Sequence, residues 1–127
     1  MSAAYLMDSH TALWAVTAPE KLARPARLLL ADGNNAVFFS PATVWELSLK
    51  AAKGKLKLPD QFEAELLAQN FVELPIISRH ARSSTNLPMY HGDPFDRLLV
   101  AQALAERLIL VTRDTMLSSY GVAVVSA

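Results

Sequence analysis

The sequence predicts an α/β fold in which a parallel β-sheet is covered by helices on both sides. Segments with strand patterns alternate along the chain with segments that have helical patterns. The strand segments are short and apolar throughout, which is typical of parallel strands buried on both faces. The chain has 127 residues and shows no internal repeat, linker or low-complexity stretch. We therefore expect residues 1–127 to form a single domain.

The first half of the chain begins with a strand that leads directly into a helix. The predicted elements are a strand over residues 3–7, helices over 9–16 and 20–31, a strand over 37–39 and a helix over 41–52. Ser9 can cap the first helix, and Pro25 fits the first turn of the main part of the second. Gly54 ends the third helix.

The second half repeats the alternation with shorter elements. They are a helix after Asp60, a strand over residues 72–77, a helix from Ser78, a helix over 94–107, a strand over 108–111, a helical turn after Asp114 and a strand over 122–125. Pro75 weakens or shortens its strand. The helix from Pro94 is the best supported, because Asp93 can cap it and proline suits its first position.

Composition excludes several classes of function. The chain has no cysteine, so it has no disulfides and no thiolate metal site, which fits a reducing cytoplasm. It has 12 basic and 12 acidic residues, so any nucleic-acid contact needs a local basic patch. No run is long enough to span a membrane, and the N-terminus has no secretory pattern. Hydrophobic residues make up 52% of the chain, from which we expect a homo-oligomer or a protein partner.

Acidic residues recur where the predicted strands end. The candidates are Asp8, Glu46, Asp93, Asp96 and Asp114. Ligand sites in open parallel sheets form at the carboxyl ends of the strands, so four or five of these acids could converge. Such a cluster is stable only if protons or divalent cations neutralise it, and oxygen ligands suit Mg²⁺ or Mn²⁺. A metal-bound water then gives phosphodiester hydrolysis.

Each acid also has a structural interpretation. Asp8, Asp93 and Asp114 can be helix caps, Asp96 can favour a helix dipole, and Glu46 can pair with Lys50 one turn later. On that interpretation the chain is a non-catalytic protein-interaction module of the same fold.

Two other enzyme or ligand classes fit the sequence less well. An aspartate-nucleophile phosphatase usually has a second Asp two residues after the first, where this chain has His10. A nucleotide binder is disfavoured because the chain has neither a Gly-x-Gly-x-x-Gly nor a Gly-Lys-Ser/Thr motif.

Five stretches together resemble a known family. They are residues 5–14 (YLMDSHTALW), 40–50 (SPATVWELSLK), 54–59 (GKLKLP), 93–103 (DPFDRLLVAQA) and 110–114 (LVTRD). In this combination and order the chain resembles PIN-domain ribonucleases of the VapC toxin type. The resemblance spans nearly the whole sequence.

The resemblance implies a fold, an activity and partners. The fold would be a PIN-like three-layer α/β/α sandwich with about five parallel strands. The activity would be that of a Mg²⁺- or Mn²⁺-dependent endoribonuclease, the toxin of a toxin–antitoxin pair, acting in the cytoplasm as a homodimer. A VapB-like antitoxin would block the site with its C-terminal segment. The implied metal-binding and catalytic residues are Asp8, Glu46, Asp96 and Asp114, with Asp93 supplementary, and Ser9 and Thr112 would orient carboxylates or water.

Basic residues near the acids are candidates for holding RNA. Lys50 and Lys53 lie one and two turns beyond Glu46 on nearly the same helical face. Arg97 and Arg113 each neighbour a candidate acid.

The aromatic and histidine residues carry weaker signals. Trp14 and Trp45 are expected in the core. The three histidines lack paired metal-ligand spacing, and His91 is the one beside the acids.

Overall fold

The structure, a computed structural model that describes residues 3–127, confirms the α/β prediction. Its strands are β1 (Ala4–Met7), β2 (Ala36–Phe39), β3 (Val72–Glu73), β4 (Ile109–Thr112) and β5 (Val124–Ser126). They form one five-stranded sheet in the order β3-β2-β1-β4-β5, and every pair is parallel. The central strand β1 therefore has β2 and β4 as its neighbours, although β4 follows it by about a hundred residues.

Within residues 3–127, six helices and two shorter 3₁₀ segments connect the strands. The helices are α1 (Ser9–Thr17), α2 (Arg24–Ala31), α3 (Pro41–Ala52), α4 (Phe62–Ala68), α5 (Ser78–Asn86) and α6 (Pro94–Glu106), and the 3₁₀ segments are Pro19–Lys21 and Thr115–Tyr120. Among residues 3–127, no helix is both long and apolar enough to cross a membrane.

The sheet is covered on both faces, which gives the three layers. Successive residues of β1 enter opposite clusters: Met7 packs with α1 and α2, whereas Leu6 packs with α6. Strand β4 behaves in the same way, with Val111 on the first side and Leu110 on the second. This alternation follows from the two-residue period of a strand and explains why the strand segments are apolar at every position.

Two predicted elements differ from the observed ones because of proline. The helix predicted over residues 20–31 is split into the Pro19–Lys21 segment and α2. Pro25 has no N–H to donate to the carbonyl of Lys21, and its ring would clash with that carbonyl in a continuous helix. The strand predicted over residues 72–77 is only Val72–Glu73, because Pro75 cannot donate to the ladder.

The expected core position of Trp45 is wrong. Its side chain is 60% exposed on α3, and its ring packs edge-on against Phe95 at a centroid distance of 4.9 Å. Trp45 lies where α3 meets the start of α6, so Phe95 covers one part of its ring and the rest is open to solvent.

Candidate active site

All five candidate acids lie around one cavity of about 380 Å³ at the carboxyl edge of β1 and β4. The lining residues are Asp8, Ser9, His10, Trp14, Glu46, Lys50, Asp93, Asp96, Arg113 and Asp114. Parallel strands bring their ends to one edge, so residues far apart in the sequence meet here. We call this space the acid cavity.

Asp8 is held at the end of β1 by two hydrogen bonds. Its Oδ1 accepts from the backbone N–H of Thr11 at 2.9 Å, which caps α1. Its Oδ2 accepts from the hydroxyl of Thr112 at 2.6 Å. The same Thr112 oxygen accepts the backbone N–H of Asp114 at 3.0 Å. One hydroxyl at the end of β4 therefore fixes the relative position of two cavity acids.

Glu46 is a buried carboxylate with both oxygens occupied. Ser9 donates its hydroxyl to Oε1 at 2.5 Å, and Lys50 donates to Oε2 at 2.9 Å. Only 5% of Glu46 is exposed, so these partners offset the free-energy cost of burying its charge. The hydrogen bond that Lys50 donates to Glu46 is the main reason that the pKa of Lys50 is raised. The pairing expected from the one-turn spacing is thus present.

Asp93 and Asp96 open α6 as the sequence predicts. Oδ1 of Asp93 accepts from the backbone N–H groups of Phe95 and Asp96 at 2.8 and 3.3 Å, so Asp93 is the helix cap. Burial of Asp96, together with the negative charges of Asp93 and Glu46, raises the pKa of Asp96 to about 7. This carboxyl group therefore titrates near neutral pH rather than in the acid range of an ordinary aspartate.

His91 lies between two of the acids. Its Nε2 is 3.1 Å from Oδ2 of Asp114 and 3.3 Å from Oδ2 of Asp96. Its Nδ1 accepts the backbone N–H of Asp93 at 3.1 Å, so the proton of the ring lies on Nε2. These three side chains are close enough together to hold an ion. With Nδ1 accepting and Nε2 carrying the proton, neither ring nitrogen has a free lone pair, so the carboxylates are the ligand candidates and His91 donates to Asp114.

The donor set fits Mg²⁺ or Mn²⁺. The cavity offers carboxylate oxygens from Asp8, Asp93, Asp96 and Asp114, and hard divalent cations prefer such ligands. Burial is the largest cause of the raised pKa of Asp96, and the charges of Asp93 and Glu46 add to it, so a divalent cation bound here would relieve both effects. Glu46 is already paired and would need to give up Lys50 to bind an ion directly.

Arg97 was expected to contact substrate, and its surroundings contradict that prediction. The residue is only 7% exposed. Its guanidinium donates to the backbone carbonyls of Ser84, Leu87, Pro88 and His91 and to the hydroxyl of Tyr120. Arg97 is therefore a structural residue that holds the loop carrying His91. Lys53 is exposed and lines a shallow groove beside Lys50, outside the acid cavity.

Sequence reasoning missed two lining residues, Trp14 and His10, and identified Arg113 only as a neighbour of Asp114. Trp14, expected in the core, is only half-buried and lines the acid cavity. The Arg113 guanidinium lies over its ring, 4.3 Å from the centroid, and the ring of His10 is 5.7 Å away. The available signals were the adjacency of Arg113 to Asp114 and the position of His10 two residues after Asp8.

Comparisons with known proteins agree on one family. A family model described as the PIN domain matches residues 5–123. Ribonuclease VapC22 of Mycobacterium tuberculosis is 30% identical over 119 residues, which cover 91% of this chain and 90% of that protein.

Solved structures with the same fold are more distant in sequence. VapBC2 from Rickettsia felis, bound to a DNA fragment from its promoter, has a TM-score of 0.71 at 18% identity and covers 97% of this chain and 98% of that chain. A toxin-antitoxin complex from Klebsiella pneumoniae has a TM-score of 0.66 at 23% identity, with 96% of each chain covered.

Proposed function

Since this chain belongs to the PIN domain family, we propose that it is a Mg²⁺- or Mn²⁺-dependent endoribonuclease, the toxin of a toxin–antitoxin pair. The observation that carries the proposal is the convergence of five carboxylates on one cavity with the pKa of Asp96 raised to about 7. Acids that served only as helix caps or as surface charges would not need to converge on one cavity. Strongly perturbed titration in a cleft is typical of functional sites.

The acids have distinct proposed roles. Asp8, Asp96 and Asp114 would hold the cation, and Asp93 and Glu46 would complete the site or help hold a second ion. When bound, the cation would supply an acidified water and polarise the phosphodiester, and the expected products carry 5′-phosphate and 3′-hydroxyl ends.

The remaining polar groups keep those acids in place. Thr112 fixes Asp8, Ser9 fixes Glu46, and His91 holds Asp96 and Asp114 close together. Asp96 must lose its proton before it can bind the ion. No nucleophilic side chain is needed, and the Ser9 hydroxyl is already donated to Glu46.

We also propose the partners implied by the family. Solved structures of the same fold include a VapBC complex and a toxin–antitoxin complex, which supports a VapB-like antitoxin as a partner. We propose that its C-terminal segment covers the acid cavity. Exposed apolar side chains such as Trp45 and Leu49 support a homodimer or a protein partner. The proposed substrate is RNA, and the proposed compartment is the cytoplasm. Lys50 and Lys53, on the rim of the acid cavity and beside it, are proposed as backbone contacts.

Cleavage of a structured RNA tests the proposal. The purified chain should cut the RNA with Mn²⁺ or Mg²⁺ and not with EDTA. Asp8→Asn and Asp96→Asn should each reduce the rate at least about 100-fold, since even residues that only orient metal ligands contribute 10–100-fold. Asp60→Asn is the matched control, because Asp60 is exposed and lies outside the acid cavity.

The competing interaction-module hypothesis makes the opposite prediction. If metal-dependent cleavage and growth arrest on expression survive both substitutions, the acids are caps and the nuclease proposal is wrong.

A further inference from the structure

One cation at the acid cavity is not paired with an acid. Lys50 and Arg113 are the two permanently basic side chains that line the cavity. Lys50 is bonded to Glu46. Arg113 forms no ion pair within residues 3–127, although it directly precedes Asp114. An arginine stays charged at all relevant pH values, so its full charge faces the rim of the cavity.

Arg113 is nevertheless held in a fixed place. Its guanidinium lies over the ring of Trp14, 4.3 Å from the centroid, and one of its nitrogens donates to the backbone carbonyl of Lys21 at 3.0 Å. An exposed arginine normally samples many rotamers, and restraining it costs conformational entropy. Two unrelated contacts here restrain it without neutralising its charge, as the cation–π contact and the carbonyl bond leave most of its N–H donors free.

The carbonyl that receives Arg113 is available because of a sequence feature. In a continuous helix the Lys21 carbonyl would accept the backbone N–H of residue 25. Residue 25 is proline, so the helix breaks and the carbonyl takes the arginine instead.

We propose that Arg113, positioned by Trp14 and the Lys21 carbonyl, binds a backbone phosphate of the RNA next to the phosphodiester that is cut. This rests on the proposed function. A planar guanidinium with free donors matches phosphate oxygens in a bidentate geometry. The cavity is otherwise rich in carboxylates that repel the RNA backbone, so a fixed cation at its rim offsets that repulsion where the strand enters.

The first test measures RNA binding with cleavage switched off. Fluorescence anisotropy of a labelled single-stranded RNA is recorded for Asp96→Asn and for the Asp96→Asn/Arg113→Gln double variant over a range of salt concentrations. The double variant should bind about 10-fold more weakly, and the slope of log affinity against log salt should become shallower by about one. Arg113→Lys should lie between the two, because it keeps the charge and loses the planar fork.

Steady-state cleavage in the otherwise unchanged chain supplies the second measurement. Arg113→Gln should raise KM about 10-fold and leave kcat within about twofold, because the metal-binding acids are intact. Arg27→Gln is the matched control, since Arg27 is exposed and lines a different cavity. It should change neither KM nor RNA affinity.

Fluorescence separates this role from a merely structural one. The chain has two tryptophans, so Trp45→Phe leaves Trp14 as the only one. Adding RNA should change Trp14 emission in that variant, and adding RNA to the Trp45→Phe/Arg113→Gln variant should change it much less.

Two outcomes overturn the inference without touching the nuclease proposal. In the first, the unaltered chain cleaves RNA and Arg113→Gln matches it in affinity, KM and salt dependence. In the second, RNA binding is unchanged while Arg113→Gln weakens a co-purified antitoxin, which would make Arg113 a protein contact. Failure of the unaltered chain to cleave any RNA with Mn²⁺ would instead count against the nuclease proposal itself.

Discussion

Two clusters in this molecule pair a histidine with a carboxylate, and they differ in charge balance. In the first, which we call the α5–α6 tie, Nε2 of His80 is 2.8 Å from Glu106 and Arg79 is 3.1 Å from the same oxygen. In the second, the acid cavity, His91 lies 3.1 and 3.3 Å from Asp114 and Asp96. The histidine–carboxylate distances are nearly the same, so these distances alone do not distinguish the two clusters.

The pKa values of the carboxyl groups do distinguish them. In the α5–α6 tie, the hydrogen bond from His80 and the contact with Arg79 lower the pKa of Glu106. In the acid cavity, burial and the charges of Asp93 and Glu46 raise the pKa of Asp96 to about 7, despite the opposing effect of His91. A single acid shared by two bases is a structural tie. Several acids around one histidine are the arrangement at which we propose that a cation binds.

Metal affinity should show the largest effect of this difference. Asp96 binds an ion only when ionised, so protons compete with the metal below pH 7. We expect Mn²⁺ affinity to fall by up to about tenfold per pH unit, or roughly 50-fold from pH 7 to pH 5. Isothermal titration calorimetry at several pH values measures this. Glu106→Gln should leave the curve unchanged, and a flat curve for the unaltered chain would contradict the prediction.

The next largest effect should come from replacing each histidine by alanine, which should affect stability in one cluster and metal affinity in the other. His80 is 1% exposed, and its Nδ1 accepts the backbone N–H of Ile77 at 3.2 Å. His80→Ala leaves a cavity and an unpaired group, so it should cost about 2–3 kcal/mol of unfolding free energy and leave Mn²⁺ affinity unchanged.

His91→Ala should do the reverse. It removes the donor to Asp114 and the nearby basic ring beside Asp96, so Mn²⁺ affinity should fall about 10-fold. The loss of stability should be smaller, because 27% of that side chain is exposed. Urea unfolding and calorimetry on both variants would be decisive. Equal losses of metal affinity would mean that the two clusters are not functionally distinct.

Asp96→Asn should stabilise the metal-free protein at pH 8. A carboxyl whose pKa is raised on folding contributes fully to stability below its unfolded pKa of about 4 and loses that contribution as the pH rises towards 7. The amide avoids this loss. Because Asp96 is partly open to water, we expect a gain of only about 1–2 kcal/mol, measured by urea unfolding in EDTA. The gain should vanish near pH 4, and an equal gain at both pH values would point to another cause.

The smallest effect should come from the exposed member of the α5–α6 tie. The pKa of Glu106 is lowered, so its contribution is present above its ordinary pKa and is lost as the pH falls through its folded pKa. Arg79→Gln removes only an exposed partner, so it should destabilise the protein less than His80→Ala, and only above about pH 4. Thermal unfolding at pH 3 and pH 7 checks this, and an equal loss at both values would rule out the ion pair as the cause.

The sheet and the acids were predictable because their signals are local. A buried strand is apolar over a few residues, and Asp8, Asp93 and Asp114 each follow or precede an element that they cap. Once parallel strands are predicted, their carboxyl ends must share an edge, so convergence of the acids follows.

The cations were not predictable because their roles depend on distant backbone. Arg97 and Arg113 both neighbour a candidate acid in the sequence, yet Arg97 is buried among loop carbonyls and Arg113 is exposed over Trp14. Each finds a carbonyl made available by a loop or by a break in a helix, and no residue pattern around the arginine encodes that. The exposure of Trp45 was not predictable for a similar reason, because it depends on how much of α3 is covered by α6, which is distant in the sequence.

The hydrogen bond from Thr112 to Asp8 joins residues that are made at very different times during synthesis of the chain, so the site is completed late. Its two ends are 104 positions apart, and β4 is a direct neighbour of the central strand β1. A growing chain has Asp8, Glu46 and Asp96 before it has Thr112, Asp114 or the strand that holds them. Until β4 has emerged and paired, the acid cavity is incomplete. We therefore expect a nascent chain of this design to lack ribonuclease activity towards the surrounding RNA until β4 has paired.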